Sequence, residues 1–309
     1  MHEETRLVSR RLVLLAVFIV VAATLLLVPL PIPETYAGRT IENAGHTPLF
    51  FVGTLFVLAI LRQDFHIGGV RLYVLAGVLC AIAGVVSEML QTPFNRDASW
   101  EDVQADCVGV LLALAVHALL RQRPGRQLVA RVAALLIIAG CLVTYFEPIV
   151  SMARAYLHRD GQFPVLARFD SPVELYWIVG FGIKREIRED VLEVEFDRAQ
   201  FPGLSFHEPV PDWRRFSALV VDVENPETRM LKLGVRVHDI GHGRAYFDRF
   251  NRGFDLAGGE RRTLRVPLEE IRHAPRNRLM DMAEISDVTL FRLHDSPSQH
   301  LRLHSMWLE

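Results

Sequence analysis

The sequence predicts a membrane α-helical bundle of five transmembrane helices followed by an extracytoplasmic all-β sandwich. Two observations on the 309-residue chain indicate this arrangement: its first half is dominated by Leu, Val, Ala and Ile with sparse charge, and its hydrophobic period changes from helical to alternating after about residue 160. We therefore predict a transmembrane domain at 1–151, a linker at 152–162 and a β-sandwich at 163–309.

Five apolar runs are candidate membrane spans. The clearest is 12–30, nineteen residues without a charge, about enough to cross a hydrocarbon core of ~30 Å. It is longer than the apolar core of a signal peptide, and Pro31 follows where a small-residue cleavage site would be expected, so we expect a retained anchor. The other runs lie at about 44–61, 70–90, 103–120 and 130–151.

The arginines predict the orientation of these spans. Nine fall in the N-terminus and the loops expected on its side of the membrane, whereas the alternate loops hold only Arg39 and Arg96. Because cytoplasmic loops are enriched in Lys and Arg, the N-terminus is predicted to be cytoplasmic and the C-terminal half extracytoplasmic. In a bacterium this predicts a multi-pass protein of the inner (cytoplasmic) membrane.

Charge and cysteine content exclude other classes. The net charge of −2 includes no basic stripe interleaved with aromatics, so no nucleic-acid partner is expected. Cys80, Cys107 and Cys141 all lie in apolar runs, so the polar half has no disulfide framework. No cofactor is expected, and no metal, because no two histidines share a helical face here and no cysteine pair occurs.

Several polar residues lie at the predicted outer ends of the spans. Glu88 and Gln91 share one face of the third span, and Asp102 and Asp106 share one face of the fourth. His46 opens the second span, and Arg96 lies in the intervening loop. An ionisable group at the bilayer centre costs roughly 2.5–3.5 kcal/mol, so this cluster predicts a polar pocket open to the outer leaflet.

The pocket residues suit the phosphate head of a lipid-linked sugar. Glu88, Asp102 and His46 are candidate general acids or bases, and Arg96 can hold a phosphate through two parallel hydrogen bonds. Structural roles stay open: Ser99 to Asp102 matches a helix N-cap, and Arg96 can neutralise a neighbouring acid.

The apolar half resembles the VanZ-like membrane proteins over about residues 10–150. The motif residues are His46, Phe50, Gly53, Glu88, Gln91, Arg96, Ser99, Asp102 and Gly109. The resemblance implies a link to tolerance of teicoplanin-type glycopeptides. Two departures make the pocket more negative: the family usually has Asp-Lys where this chain has Glu42-Asn43, and Asn where it has Asp106.

The polar half reads as short alternating strands bounded by turns, which indicates an antiparallel sandwich of about seven strands. The strand segments are 192–196, 204–207, 219–223, 231–237, 264–268, 288–293 and 301–308.

This half also resembles the galactose-binding-like jelly rolls used as carbohydrate-binding modules. The matching residues are Phe201-Pro-Gly203, Asp212-Trp213, Phe216, Leu219, Asp222-Val-x-Asn225, Val237-x-Asp239, His242, Tyr246-x-Asp-Arg-Phe-Asn251, Pro267-Leu268 and Arg278-x-x-Asp281. Tyr246 is expected to stack on a sugar ring, with Asp248, Arg249 and Asn251 binding hydroxyls; the alternative is that they close a turn. Trp213 is expected to be a core residue.

Both halves indicate an integral envelope protein that binds membrane lipid and an envelope glycan or lipid-linked saccharide. A role accessory to polysaccharide or peptidoglycan processes is the leading hypothesis. The alternatives are a transferase or phosphohydrolase acting on a lipid-linked saccharide, and a structural subunit whose sandwich docks another protein.

Overall fold

The structure, a computed structural model, describes residues 2–27, 35–91, 99–121, 128–198, 201–243 and 245–309. The chain divides into two compact units, Met1–Val150 and Ser151–Glu309. The first is helical and the second is mainly β, and each is described separately below.

Long helices make up the first unit. They are α1 (His2–Leu27), α2 (Tyr36–Gln63), α3 (Gly69–Gln91), α4 (Trp100–Arg121) and α5 (Leu128–Gln162), whose residues from Ser151 onward belong to the second unit. Four of them, α2 to α5, are long and apolar enough to cross a membrane, whereas the described apolar part of α1, Val13–Leu25, is shorter. The four later predicted spans are therefore found as apolar helices, and the fifth crossing and the orientation stay predictions.

The helices expose apolar side chains in a way that suits lipid. On α3, Val74 is 55% exposed and Ile82 is 56% exposed. The opposite face of α3 is buried at Ala76, Cys80 and Glu88. Outward apolar and inward polar groups are the reverse of a water-soluble helix and fit a hydrocarbon solvent.

The predicted linker, 152–162, is helical and forms the last turns of α5. Within the second unit, Tyr156 donates a hydrogen bond to the Glu208 carboxylate, and Arg159 Nη1 donates to the Glu208 carbonyl oxygen at 2.8 Å. These contacts attach the end of α5 to the sandwich, so the segment predicted as a linker is part of the folded second unit.

Over the described residues the second unit has eleven strands, one short α-helix and a 3-10 helix at Pro172–Trp177. The strands are β1 (Val165–Ala167), β2 (Ile178–Phe181), β3 (Ile183–Arg188), β4 (Val191–Phe196), β5 (Gly203–His207), β6 (Ala218–Glu224), β7 (Leu231–Asp239), β8 (Phe250–Leu256), β9 (Arg261–Pro267), β10 (Ile285–Arg292) and β11 (His300–Leu308), with α6 at Leu268–Arg272. One sheet has the order β3-β4-β11-β6-β9, with β1 also pairing β11; the other has the order β2-β5-β10-β7-β8. We call these sheet A and sheet B. All strand pairs are antiparallel.

The core lies between the inward faces of the two sheets. In sheet B, Leu204 pairs with Leu290, which pairs with Val235, and all three are fully buried. In sheet A, Leu192 pairs with Leu303, and both are fully buried. The predicted antiparallel sandwich is confirmed.

All seven predicted strands are present, and β1, β2, β3 and β8 are additional. The prediction missed β8 because its polar residues read as part of the turn before it. Asn251, predicted to be a sugar-binding residue, lies in β8. Leu268, expected at a strand end, begins α6 after Pro267.

The two outermost strands on the main path of sheet A, β3 and β9, are strongly basic. β3 carries Lys184, Arg185 and Arg188, and β9 carries Arg261, Arg262 and Arg265. Charged side chains on an edge strand disfavour pairing with a further strand.

Candidate functional site

His46 and Asp106 form a buried pair between α2 and α4. His46 Nδ1 lies 2.9 Å from Asp106 Oδ1, and the two residues are 3% and 1% exposed. The other carboxylate oxygen, Asp106 Oδ2, is buried and has no hydrogen-bond partner among the described residues. Such an orphaned acceptor is costly in a low-dielectric interior, so a bound donor or cation is to be looked for beside it.

Close helix packing brings this pair together. A Cβ atom at Gly109 of α4 would lie 2.3 Å from the Thr47 carbonyl oxygen of α2, so only glycine allows this approach. Thr47 Oγ1 also donates to the Ala105 carbonyl oxygen across the same contact at 2.9 Å. Small residues at such contacts are typical of membrane helices.

Glu88 and Gln91 of α3 lie on one face, as their spacing predicts. Gln91 Nε2 donates to Glu88 Oε1 at 3.0 Å, and the Ser99 backbone N–H donates to Glu88 Oε2 at 3.1 Å. Both side chains are at most 4% exposed. These two donors fix the Glu88 carboxylate.

Asp102 lies in the first turn of α4 and is 6% exposed. Its backbone N–H donates to Ser99 Oγ at 3.3 Å, which is the N-cap considered for this segment. With its side-chain amide oriented to satisfy its hydrogen bonds, Asn43 of α2 donates to Asp102 Oδ1 at 3.1 Å. Ser99 is thus explained as a cap, whereas the buried Asp102 carboxylate belongs to the polar cluster.

The structure brings five of the six predicted pocket residues to the buried interfaces of α2, α3 and α4. They are His46, Glu88, Gln91, Asp102 and Asp106. The sixth, Arg96, lies outside the described residues. Their roles in substrate binding or catalysis stay predictions.

A second cluster lies on the outward face of sheet B. Directly paired residues share a face, and one line of partners crosses four strands: Ser205, Thr289, Arg236 and Asn251, which we call the polar row. The next line of partners is His207, Asp287 and His238. Polar groups thus cover this face, while the alternating residues face the core.

Asp287 anchors this face. Ser205 Oγ lies 2.7 Å and 2.5 Å from its two carboxylate oxygens, and Thr289 Oγ1 donates to it at 2.7 Å. His207 Nδ1 lies 3.0 Å from Asp287 Oδ2. Burial lowers the pKa of His238, against the raising effect of Asp287, so its imidazole is neutral at pH 7. The carboxylate therefore has hydroxyl and imidazole partners although it is only 2% exposed.

Arg236 holds the centre of the polar row. Its guanidinium lies over the Phe291 ring, 4.7 Å from the centroid, and its Nε donates to Asn251 Oδ1 at 3.0 Å. The ring of Phe291 lies against Gly234, where an added Cβ would be 2.4 Å from Cζ. Burial lowers the Arg236 pKa from its usual value, and the charge of Arg249 reinforces this effect. Even so, the group is a cation at neutral pH.

The loop before β8 carries the remaining predicted sugar-binding residues. Tyr246 is 68% exposed, and Arg249 stacks on it at 5.3 Å from the ring centroid. Arg249 Nε is buried without a hydrogen-bond partner among the described residues. Asn251 joins this group, since its Nδ2 donates to the Tyr246 carbonyl oxygen at 3.5 Å.

Asp248 has a different role: it fixes this loop. Its carboxylate accepts from Arg278 Nε and from the Gly243 N–H, both at 2.7 Å. Arg278 also holds the buried Asp239 with two hydrogen bonds, at 2.5 Å and 2.7 Å. Of the four predicted sugar-binding residues, Asn251 therefore belongs to the polar row, Tyr246 and Arg249 lie near it, and Asp248 fixes their loop.

Sequence reasoning missed Ser205, Arg236, Asp287 and Thr289. The available signal was their alternation with buried apolar residues, as in Asp287-Val-Thr-Leu290, which places polar groups together on one face of a strand. Trp213 is fully buried and donates from Nε1 to the Val210 carbonyl oxygen at 2.8 Å, as a core residue does.

No protein-family model and no curated protein matches this chain. Among solved structures it is similar to an exo-β-agarase at 13% identity over 47% of this chain and 24% of that one, with a TM-score of 0.39. It is also similar to a family 11 carbohydrate-binding module from Clostridium thermocellum in complex with a β-1,3-1,4-mixed-linked tetrasaccharide. The identity is 12% over 47% of this chain and 93% of that one, with a TM-score of 0.37. A family 29 carbohydrate-binding module is similar at 11% identity over 47% of this chain and 89% of that one, with a TM-score of 0.33.

The chain spans only about a quarter of the agarase it matches. At these identities and TM-scores the similarity identifies no particular residue. The function of this chain is therefore inferred from its own side chains.

Proposed function

We propose that this chain is an integral membrane protein of the bacterial envelope whose sandwich binds glycan on the outward face of sheet B. The observation that carries the proposal is Arg236. It is a half-buried cation held in place by Phe291 and Asn251, and its two terminal guanidinium nitrogens have no hydrogen-bond partner among the described residues. A fixed donor pair on a polar, aromatic-flanked surface suits a ligand that is rich in oxygen acceptors.

The charge of this surface favours an acidic glycan. Arg249 lies close enough to lower the pKa of Arg236, and the charge of Asp287 opposes this effect more weakly, so an anion bound between the two arginines would relieve their repulsion. A guanidinium binds a carboxylate or phosphate through two parallel hydrogen bonds, which are stronger than neutral ones. We therefore assign uronate- or phosphate-bearing envelope glycans to this face, with Tyr246 as the exposed ring beside it.

The polar cluster of the helical unit would bind the head group of a lipid-linked saccharide. In this arrangement the N-terminus is cytoplasmic, the sandwich is extracytoplasmic and the membrane is the bacterial inner membrane. The VanZ-like motif residues Glu88, Gln91 and Asp102 support this part of the proposal. It would link the protein to glycopeptide tolerance, with Arg96 on the phosphate.

The test measures oligosaccharide binding to the full-length protein in nanodiscs. Wild type, Arg236→Gln and Arg214→Gln are each titrated with an acidic oligosaccharide and with a neutral one of equal length. Arg214 is the matched control because it is an exposed arginine paired with Asp212, outside the polar row. We expect Arg236→Gln to lose about tenfold or more in affinity for the acidic ligand, because a charge-assisted bidentate contact is removed. We expect Arg214→Gln to bind as wild type.

Equal affinity of wild type and Arg236→Gln would refute binding at this face. Equal affinity of wild type for the acidic and neutral ligands would refute the preference for acidic glycans.

A membrane enzyme is the second candidate, and the convergence of buried ionisable groups from three helices favours it. A transferase or phosphohydrolase would use Glu88 or Asp102 as base, with His46 beside them. Product formed from a lipid-linked saccharide by wild type, and absent with Glu88→Gln, would establish this alternative. If the protein is instead a structural docking subunit, Arg236→Gln and Glu88→Gln should both still assemble with its protein partner.

A further inference from the structure

Three potential metal ligands meet inside the helical unit. His46 of α2, Glu88 of α3 and Asp102 of α4 are 3%, 4% and 6% exposed, and one donor atom of each lies within 4.8 Å of the others. We propose that these three side chains bind a divalent transition-metal ion, with Zn²⁺ the best-fitting one. This inference goes beyond glycan binding and does not depend on the sandwich.

The separation of the donor atoms is compatible with one ion. An ion centred among three donors at the 4.8 Å limit would lie about 2.8 Å from each, and zinc bonds to nitrogen and oxygen are about 2.0–2.2 Å. Closing that gap requires each side chain to move by less than about 1 Å. A shift of this size lies within the torsional adjustment that a side chain can make inside one rotamer well.

The hydrogen bonds around the cluster orient its members as metal ligands. His46 Nδ1 is engaged by Asp106 Oδ1 at 2.9 Å, so we assign Nε2 as the coordinating atom. A carboxylate bound to the second imidazole nitrogen is the usual partner of a metal-ligating histidine, since it fixes the tautomer and the ring orientation. Gln91 and the Ser99 N–H likewise fix Glu88, whose oxygens each keep a further lone pair.

Asp106 supplies an independent indication. Its second oxygen, Oδ2, is buried beside Gly84 of α3, one turn from Glu88, and has no hydrogen-bond partner among the described residues. It adds a carboxylate to an interior that already holds Glu88 and that disfavours negative charge. A divalent cation at the three ligands would offset that charge and explain why the orphaned carboxylate is retained.

The donor set selects the ion. One imidazole and two carboxylates match zinc, whereas magnesium and calcium prefer oxygen donors alone. Three protein ligands leave the fourth tetrahedral position open, as in zinc sites that bind substrate. A phosphate oxygen of a lipid head group is the ligand we assign to that position. The sequence predicts no metal here because no two histidines share a helical face, whereas these three ligands come from three helices.

The experiment measures zinc bound to the full-length protein in nanodiscs. The protein is stripped with chelator, titrated with Zn²⁺ in the presence of excess Mg²⁺, and assayed for bound metal by elemental analysis. Wild type is compared with Glu88→Gln, Asp106→Asn and His158→Gln. His158 is the matched control because it belongs to the other His-carboxylate group of the described residues, with Asp170 and Glu174.

We expect one tightly bound zinc per wild-type chain, its loss in Glu88→Gln and its retention in His158→Gln. Asp106→Asn should weaken affinity by about 10–100-fold, as expected for a residue that positions a ligand. Absence of bound zinc in wild type, retention in Glu88→Gln, or loss in His158→Gln would each overturn the proposal.

X-ray absorption of the zinc-loaded wild type tests the site without relying on the fold of any variant. One imidazole with oxygen neighbours supports the assignment. Sulfur or two imidazoles in the coordination sphere overturns it. The sandwich is expected to bind glycan equally well with and without chelator. Failure of the metal proposal would therefore leave the proposed glycan binding intact.

Discussion

Replacing Arg278 with methionine should destabilise the sandwich and change the pH dependence of its stability. Arg278 holds the Asp239 carboxylate with two hydrogen bonds, and the Asp239 side chain is fully buried. The Asp281 N–H also donates to Asp239, at 2.7 Å, and remains in the variant. Methionine preserves the aliphatic contacts of the arginine and removes only its charge and donors.

The magnitude follows from leaving a buried charge without its ion partner. Breaking a fully buried pair costs about 3–5 kcal/mol. The Arg278 side chain is 30% exposed and one amide donor remains, so we expect about 2–3 kcal/mol for this variant. The control is Arg214→Met, whose pair with Asp212 is solvent-exposed; its loss should leave the unfolding midpoint unchanged.

The sign of the pH effect is opposite in the two proteins. Burial alone would raise the pKa of Asp239, but the hydrogen bonds and charge of Arg278 outweigh it and hold that pKa below its ordinary value of 3.8. The wild type therefore has this stabilisation above about pH 4 and loses it as pH falls further. Without Arg278 the burial effect dominates, so the variant gains stability as the carboxyl protonates on acidification. The gap between the two proteins should narrow from pH 7 to about pH 4.

Urea unfolding of the full-length protein in detergent, followed by tryptophan fluorescence, measures these effects. Three of the four tryptophans, Trp177, Trp213 and Trp307, lie in the second unit, so the signal reports mainly on the sandwich. A difference in unfolding free energy between wild type and Arg278→Met that is constant with pH would refute the coupling. So would a double variant, Asp239→Asn with Arg278→Met, whose loss of stability equals the sum of the two single losses.

Other changes test the packing and the charges elsewhere. Gly234→Ala should lower the melting temperature of the sandwich and weaken glycan binding, because the new Cβ would lie 2.4 Å from Phe291 Cζ; unchanged melting would refute the close contact. Burial tends to raise the pKa of Glu227, but its hydrogen bonds lower that pKa to about 2. In an acid titration, Glu227→Gln should therefore lose less unfolding free energy than wild type between pH 4.5 and 2. Gly109→Ala should reduce the yield of folded protein in size-exclusion chromatography, because its Cβ would meet the Thr47 carbonyl oxygen at 2.3 Å; wild-type yield would contradict this.

The sequence predicted most of the fold because its periodicities are strong. The alternation of Leu231, Leu233, Val235 and Val237 indicates a strand with one buried face, and β7 is that strand. The prediction failed at β8, where Arg252 and Gly253 interrupt the alternation of apolar and polar residues. Because β8 is an edge strand, it needs less buried surface and its pattern is weaker.

The candidate sites were predictable only in part. The i,i+3 spacing of Glu88 and Gln91 correctly placed both on one helical face. Spacing along the chain, however, does not indicate that His46, Glu88 and Asp102 approach within 4.8 Å, since three separate helices supply them. Strand register likewise decides that Arg236 meets Asn251 rather than another residue of β8, and register depends on tertiary pairing.

The basic edges of sheet A matter for a protein confined to a membrane. Copies restricted to two dimensions meet one another far more often, and in fewer orientations, than copies dissolved in a volume. An uncharged open strand would then recruit its neighbour and build lateral aggregates. The like charges on β3 and β9, such as Arg185 and Arg262, disfavour pairing with the same strand of an identical molecule when copies are crowded.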